Sequence, residues 1–533
     1  MFETNLLHHL PFASAARSPD SVALTYGTDS LQYGDLTLQI EQFAARLRVL
    51  DLPRAARVAV YLEKCPKAVI AYFGTAAAGC VFVPINPLLK PAQVQHILQD
   101  CGAQCLVTSI QRLSLLANEF VDNTSLEAII VTDIKGSEAL QPLPLPVHVW
   151  DEMEINTPSK PHRIIDTDMA AIFYTSGSTG KPKGVVLSHR NLVAGAKSVA
   201  SYLENHAGDT LLAALPLSFD AGFSQLTTAF HVGARVVLLN YLFPRDVVKA
   251  IERERVSGLT AVPPLYIQLT QLSWPENITD HLRYFANTGG RMPRDTLDNL
   301  RQKLPCSKPF LMYGLTEAFR STFLPPSEVD RRPDSIGKAI PNAEILVLRE
   351  DGSVCAPNEP GELVHRGALV AQGYWNDPEK TTERFKPLPA SLPGRGTGLV
   401  LPEIAVFSGD TVRMDEDGFL YFIGRRDEMI KTSGYRVSPT EIEEIIYSTG
   451  LVGECVAFGI ENDRLGQAIQ VIATAPPDSS LDVAQLLSEC KVRMPAYMVP
   501  AGIELRPGPL PRNPNGKIDR KALSSEWVTD HSP

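Results

Sequence analysis

Phe173-Tyr174-Thr175-Ser176-Gly177-Ser178-Thr179-Gly180-Lys181-Pro182-Lys183-Gly184-Val185 packs three glycines, four Ser/Thr hydroxyls and two lysines into one short segment. It follows an apolar strand at 170–174 and precedes Ser188-His189-Arg190-Asn191-Leu192, which opens a helix. Glycine lets backbone N–H groups approach a ligand, and hydroxyls and ammonium groups add donors, so the segment suits wrapping a polyphosphate. It is not a Walker A loop, which needs G-x-x-x-x-G-K-[ST], because Pro182 follows Lys181. A flexible surface turn does not account for this density of donors between two ordered elements.

Outward from the loop, short Val/Ile-rich runs alternate with helical patterns. Residues 57–62 read as a buried strand, 68–79 as a helix closing at glycine, and 81–85 as the next strand. Further strands are expected at 105–108, 128–131, 210–215, 235–239 and 258–262. Strand–helix–strand order implies an α/β fold of layered, mostly parallel sheets with helices on their faces. From about residue 343 alternating strands and turns predict a β-rich subdomain, about 343–426, with a surface excursion at 389–402. Residues 427–533, with strands at 454–460 and 468–473 and an amphipathic helix at 482–494, suffice for a small α+β domain. The expected division is 1–426 and 427–533.

The 533 residues are 44% hydrophobic and 21% charged, and 50 Lys+Arg against 60 Asp+Glu give a net charge of −10. This is a globular composition, without the basic face that nucleic-acid binding needs. No apolar run approaches the roughly 20 residues of a membrane helix, and the first residues lack the pattern of a secretory signal. Eight cysteines without a C-x-x-C spacing predict a reduced, zinc-free, cytoplasmic protein whose cysteines are small buried hydrophobes.

Four later segments join the loop. They are Met312-Tyr313-Gly314-Leu315-Thr316-Glu317; Ser408-Gly409-Asp410; Gly424 through Val437 with Glu441-Ile442-Glu443; and Met494 through Pro500 followed by Asn513-Pro514-Asn515-Gly516-Lys517-Ile518-Asp519-Arg520. In order and spacing over about residues 30–525 the set resembles the adenylate-forming superfamily of acyl-CoA synthetases, amino-acid adenylation domains and luciferases. The runs 314–326 and 330–341 are similar to the AMP-forming ligases found beside exosortase systems.

The resemblance implies a carboxylate joined to ATP with loss of pyrophosphate, then transfer of the acyl group to a thiol. Attack of a carboxylate on the α-phosphate brings two anions together, so cations and backbone donors must neutralise the developing charge. By motif match Thr175, Ser176, Gly177, Ser178, Thr179, Gly180 and Lys183 would hold the phosphates, Thr316 the α-phosphate and Glu317 Mg²⁺, an apt ligand for a hard cation. Asp410 would accept the ribose hydroxyls, Arg425 and Arg436 would lie on the nucleotide side, and Tyr313 would lie against adenine. Lys517, in a tight turn, would bridge the carboxylate oxygen and the α-phosphate. Asp427 would be the hinge on which a mobile C-terminal domain swings between adenylation and thiolation.

The acid would be selected by Phe219, Asp220, Ala221, Ser224, Ala261, Ala286, Thr288, Gly289, Met312, Arg320 and Ser321. Phe219-Asp220 looks like amino-acid adenylation domains, where the matching Asp pairs with the substrate ammonium. Arg320 either meets an anionic substrate group or neutralises Asp220 and leaves no amine site. The expected substrate is a small amino acid or a short polar acid, with medium- and long-chain fatty acids as the alternative. The acceptor is coenzyme A or the phosphopantetheine of a separate carrier protein. A phosphotransferase would need P-loop or kinase segments that are missing. A non-catalytic homologue would have lost one of Lys517, Glu317 or Asp410, and a luciferase-like oxidase would need a specialised substrate.

Overall fold

Val58, Ala59 and Val60 are fully buried, as a run with no polar face requires of a strand covered on both sides. The computed structural model describes residues 3–89, 91–116, 125–133, 145–153, 162–175, 182–389, 392, 402–425, 428–432, 435–462, 465–476, 479–494, 496–513 and 516–531, with backbone alone for Lys431, Tyr435 and Arg436. Arg57–Tyr61 lies between parallel neighbours Val81–Pro84 and Cys105–Thr108. These belong to an eight-stranded sheet that Ala128–Val131 and Val147–Val149 extend on one side. On the other side Met169–Thr175 runs parallel to Val81–Pro84, and Lys183–Ser188 and Gly373–Tyr374 follow antiparallel.

A second sheet has nine strands. Its middle is parallel, running Lys308–Tyr313, Tyr284–Asn287, Gly258–Ala261, Thr210–Ala213, Arg235–Leu238 and Val22–Tyr26, and its edges are antiparallel. All nine strands and helices expected by number between 57 and 262 are present within a few residues. Lys183–Ser188 was not expected: the polar loop leads into a return strand, and the helix begins only at His189. Five cysteines are buried as small hydrophobes, but Cys306 is exposed and Cys65 and Cys355 are half-buried.

Helix Asp220–Val232 shows how the core positions a site. Phe223 meets the rings of Tyr72, Phe73, Phe82 and Phe173 at centroid distances of 5.9, 5.8, 5.1 and 5.6 Å. Phe230, two turns on, shares that face. Ala221, Ser224, Gln225 and Thr228 recur at helical spacing on the opposite face, which is therefore fixed by the aromatic packing behind it.

Strands Ala343–Leu348, Gly361–Gly367, Phe385–Pro387, Ile404–Met414 and Leu420–Arg425 account for the change of texture near residue 343. The chain divides into two compact units, residues 1–345, 365–388 and 401–406 in one and 346–364, 389–400 and 407–533 in the other. The division differs from one at 426: Leu420–Arg425 pairs with Ile404–Met414 and packs on helix Pro439–Tyr447, which keeps residues 407–425 with the C-terminal unit. The expected strands at 454–460 and 468–473 form a hairpin, Cys455–Asn462 with Gly466–Ala473, backed by Val483–Arg493. Helices Pro439–Tyr447 and Arg520–His531 add to the one expected.

Gly195 sits inside helix His189–Tyr202, where a Cβ would lie 2.4 Å from the buried Phe319 ring. Alanine normally favours a helix over glycine by about 1 kcal/mol; here it must displace a packed ring, at a cost of about 1–3 kcal/mol. Gly195→Ala is therefore expected to lower the urea midpoint of unfolding, and an unchanged or raised midpoint contradicts the packing.

Candidate active site

Thr175 and Lys183 are a cross-strand pair, so the two described ends of the glycine-rich segment face each other across a hairpin. Ser176, Gly177, Ser178, Thr179 and Gly180 lie outside the described residues. At the far end of the return strand Ser188 caps the next helix by accepting from Asn191 N at 3.2 Å, while Asn191 Oδ1 accepts from Ser188 N at 2.8 Å. Asn191 Nδ2 donates to Ala368 O and Val370 O at 2.8 and 2.9 Å, tying residues 368–370 to the helix start. Ala371 N then donates to Glu317 O at 2.8 Å.

This chain of contacts sets Tyr374 beside Glu317. Its hydroxyl donates to Glu317 Oε1 at 2.5 Å, and Lys183 Nζ stands 5.4 Å from the centre of the Tyr374 ring. Burial pushes the Lys183 ammonium below its ordinary range, helped by Lys380 and Arg384 and opposed by Asp377 and Glu317. Sequence reasoning missed Tyr374. Its one signal is an aromatic pair, Tyr374-Trp375, ahead of a helix start, and nothing local ties that pair to Glu317, 57 residues away.

Thr316–Ala318 is a single 3-10 turn, after which Phe319 takes φ 58° and ψ −46°. Arg320 N donates to Ala318 O at 2.6 Å, closing a tight three-residue turn. Such a conformation at a non-glycine residue costs about 1–3 kcal/mol and persists only where its surroundings impose it. Here the ring of Phe319 is packed into the space above Gly195, and the turn aims Arg320 inward. Arg320 is 2% exposed, and its Nη1 donates to Asp220 Oδ2 and Phe319 O, both at 3.0 Å. Thr316 Oγ1 lies 3.5 Å from Asp220 Oδ1, at the limit of hydrogen bonding. Burial pushes the Asp220 carboxyl up, and the Arg320 guanidinium opposes that rise. Asp220 thus already has its cationic partner.

Ala221, Ser224, Met312 and Arg320 border a small cavity with about 20 Å³ of free interior, room for one group the size of water. The other expected pocket residues do not border it. Phe219 caps the helix, Ala261 and Ala286 are buried within their strands, and Thr288 and Gly289 follow strand Tyr284–Asn287. Ser321 Oγ is 3.0 Å from His365 Nδ1, both residues being fully buried. Arg291, two residues after Gly289, pairs with Asp334 at the surface, 2.6 Å apart. Eight further described residues line it and were missed, Gln225, Thr228, Gly258 and Tyr284 among them. The first two were legible, since they continue the 221, 224 spacing of one helix face.

In the C-terminal unit Asp410 is paired across the strands with Arg425, whose Nε is 3.5 Å from Asp410 Oδ1. Lys517 is exposed in the expected tight turn: Asn513 N donates to Lys517 O at 2.8 Å and Lys517 N to Asn513 Oδ1 at 3.1 Å. Arg520, three residues on, forks the Glu443 carboxylate at 2.9 and 3.0 Å and so anchors that turn to helix Pro439–Tyr447. Asp427 and the Arg436 side chain lie outside what is described. Among the described residues no helix is long and apolar enough to cross a membrane.

Residues 12–375 match the family of AMP-binding enzymes, and residues 441–517 match the AMP-binding enzyme C-terminal domain. A long-chain-fatty-acid–CoA ligase of Bacillus subtilis (strain 168) is 28% identical over 97% of this chain and 94% of its own. Tyrocidine synthase 3 of Brevibacillus parabrevis is 30% identical over 96% of this chain, which spans only 7% of that relative's length. The structure of o-succinylbenzoate coenzyme A synthetase from Bacillus subtilis, in complex with ATP and magnesium ion, superposes with a TM-score of 0.80 at 25% identity, over 97% of this chain and 99% of that one.

Burial pushes His365 down to about 4, so the folded protein holds it neutral while the unfolded chain binds a proton near its ordinary value. The unfolded state therefore carries more protons between about pH 6.5 and 4, and stability falls as pH drops through that window. His365→Gln is expected to flatten the pH dependence of the urea midpoint between pH 7 and 5, and an unaltered slope contradicts a buried neutral imidazole.

Proposed function

Because the chain belongs to the family of AMP-binding enzymes, we propose that it activates a short polar carboxylic acid as its adenylate and transfers the acyl group to a pantetheine thiol. As an ATP-dependent adenylate-forming ligase it joins acid and thiol in two balanced steps. The carboxylate oxygen bonds to the α-phosphorus of ATP as pyrophosphate leaves. The thiol sulfur then bonds to the acyl carbon as AMP leaves and the thiol proton is released.

The observation that carries the choice of acid is the Asp220–Arg320 pair. The carboxylate that would receive an α-ammonium group is already neutralised, which favours a short polar acid over an amino acid. The small cavity beside the pair speaks against a long fatty chain. In the proposed chemistry Lys183 and the donors of residues 175–180 hold the phosphates, Thr316 approaches the α-phosphate, and Tyr313 lies against adenine. Asp410 holds the ribose with Arg425 and Arg436 nearby, and Lys517 bridges the attacking oxygen and the phosphate. Glu317 suits Mg²⁺: it is a half-buried carboxylate with one oxygen held by Tyr374, the hard-donor chemistry that this ion selects. Magnesium supplies charge neutralisation on the phosphates when bound.

With Asp427 as hinge, the C-terminal domain would withdraw Lys517 before the thiol enters, so that one site serves both steps. The acceptor is coenzyme A or a separate carrier protein, and the likeness of 314–326 and 330–341 to exosortase-associated ligases supports a place beside such a system.

The test is acid-dependent ATP–pyrophosphate exchange over amino acids, short polar acids and medium- to long-chain fatty acids. Exchange is expected with short polar acids and is expected to fall at least about a hundredfold in Lys517→Ala. Exchange confined to fatty acids overturns the substrate choice, and full exchange in the variant overturns the role of Lys517.

A further inference from the structure

Three residues that border the cavity beside Asp220 each carry a buried polar atom with no hydrogen bond among the described residues: Arg320 Nε, Gln225 Oε1 and Thr228 Oγ1. Their residues are 2%, 6% and 2% exposed. Leaving a buried polar atom unsatisfied is costly, so three around one cavity form a set built to be completed by something else. The Gln225 amide is oriented by its other end, since Nε2 donates to Leu212 O at 2.7 Å and to Thr260 O at 3.4 Å. Two carbonyl acceptors require the NH₂ there, which leaves the amide oxygen as the end without a partner among the described residues. The set offers one fixed donor, one fixed acceptor and a hydroxyl that serves as either.

The charge of Arg320 is already matched through Nη1 by Asp220, so its Nε–H acts as a directional donor rather than as an unpaired cation. A carboxylate at this point would place its oxygen against Gln225 Oε1, and an ammonium would face the Arg320 guanidinium. A hydroxyl donates once and accepts twice, which matches the donor, the acceptor and the hydroxyl of the set in kind. The cavity's room for one water-sized group agrees with that.

The far wall limits length. Gly258 and Tyr284 are register partners on adjacent parallel strands, and a Cβ on Gly258 would lie 2.4 Å from the Tyr284 ring. The absent side chain is thus what admits the ring, and Asn205 Nδ2 holds its hydroxyl at 3.1 Å. Tyr284 is 2% exposed and lines the cavity as a fixed stop.

We propose that the acid carries a hydroxyl group a short distance from its carboxylate, read by Thr228, Gln225 and Arg320, with Tyr284 excluding longer chains. This rests on the adenylate-forming reading above and deepens it. The test compares ATP–pyrophosphate exchange with butanoate, 3-hydroxybutanoate, 4-hydroxybutanoate, 4-aminobutanoate, succinate and octanoate. The better hydroxy acid is expected to exceed butanoate at least about tenfold in kcat/KM, because a site built to hydrogen-bond a hydroxyl rejects its deoxy analogue. Thr228→Val is expected to reduce that ratio, and Tyr284→Ala to raise octanoate relative to the hydroxy acid. Equal or better exchange with butanoate overturns the hydroxyl assignment, as does preference for succinate or 4-aminobutanoate, while the ligase reading stands. Exchange with none of these acids, nor with any in the broader panel, defeats the ligase reading itself. The wild-type ratio decides the proposal even if a variant fails to fold.

Discussion

The ion pair between Arg320 and Asp220 is the constraint from which the acid side of the site takes its form. Its partners come from elements about a hundred residues apart, a strained turn after strand Lys308–Tyr313 and the first residue of helix Asp220–Val232. Breaking such a pair from one side leaves a buried charge and costs about 3–5 kcal/mol. That cost offsets the strain at Phe319 and fixes the turn bearing Thr316 and Glu317 relative to the helix. In the proposed reading the pair also determines what the pocket can recognise, because it engages the carboxylate that an amino acid would use.

The helix is held from behind. Phe223 and Phe230 bury one face among aromatic rings, so the polar face toward the cavity cannot rotate to satisfy its own unpaired atoms. The aromatic core thereby keeps Gln225 Oε1 and Thr228 Oγ1 without a partner among the described residues, and in the proposed reading their demand for one becomes a means of selection. In the proposed reading chain length is governed by the same packing, since Tyr284 occupies the place that a side chain at Gly258 would take.

Much of this was legible in the sequence. Val/Ile runs such as 57–62 and 105–108 have no polar face and can only be interior strands, and the order of elements made the sheets parallel. The nucleotide-side residues were expected from motifs whose chemistry is local, and their roles belong to the proposed function. Tyr374 was not legible, because its meaning depends on a 2.5 Å contact with Glu317 made only after the sheets assemble. Arg320 and Asp220 could be named as a possible pair, but not chosen over an anionic substrate group as the partner of Arg320: a sequence shows a cation and a carboxylate, and only the turn at Phe319 shows that they meet. Lys183–Ser188 was hidden by the polar loop before it, although Val185-Val186-Leu187 carries the β signal. Gln225 and Thr228 were recoverable by continuing the helical period from Ala221 and Ser224.

The central claim is that Asp220 and Arg320 are each other's partner in the folded protein. A double-mutant cycle with Asp220→Asn, Arg320→Gln and the double variant, measured by urea unfolding at pH 7, tests it most directly. The account predicts strong coupling, at least about 1.5 kcal/mol, with the double variant more stable than the sum of the single losses allows. Additivity within about 0.5 kcal/mol would mean that the two charges do not meet, and the amino-acid reading of Asp220 would return.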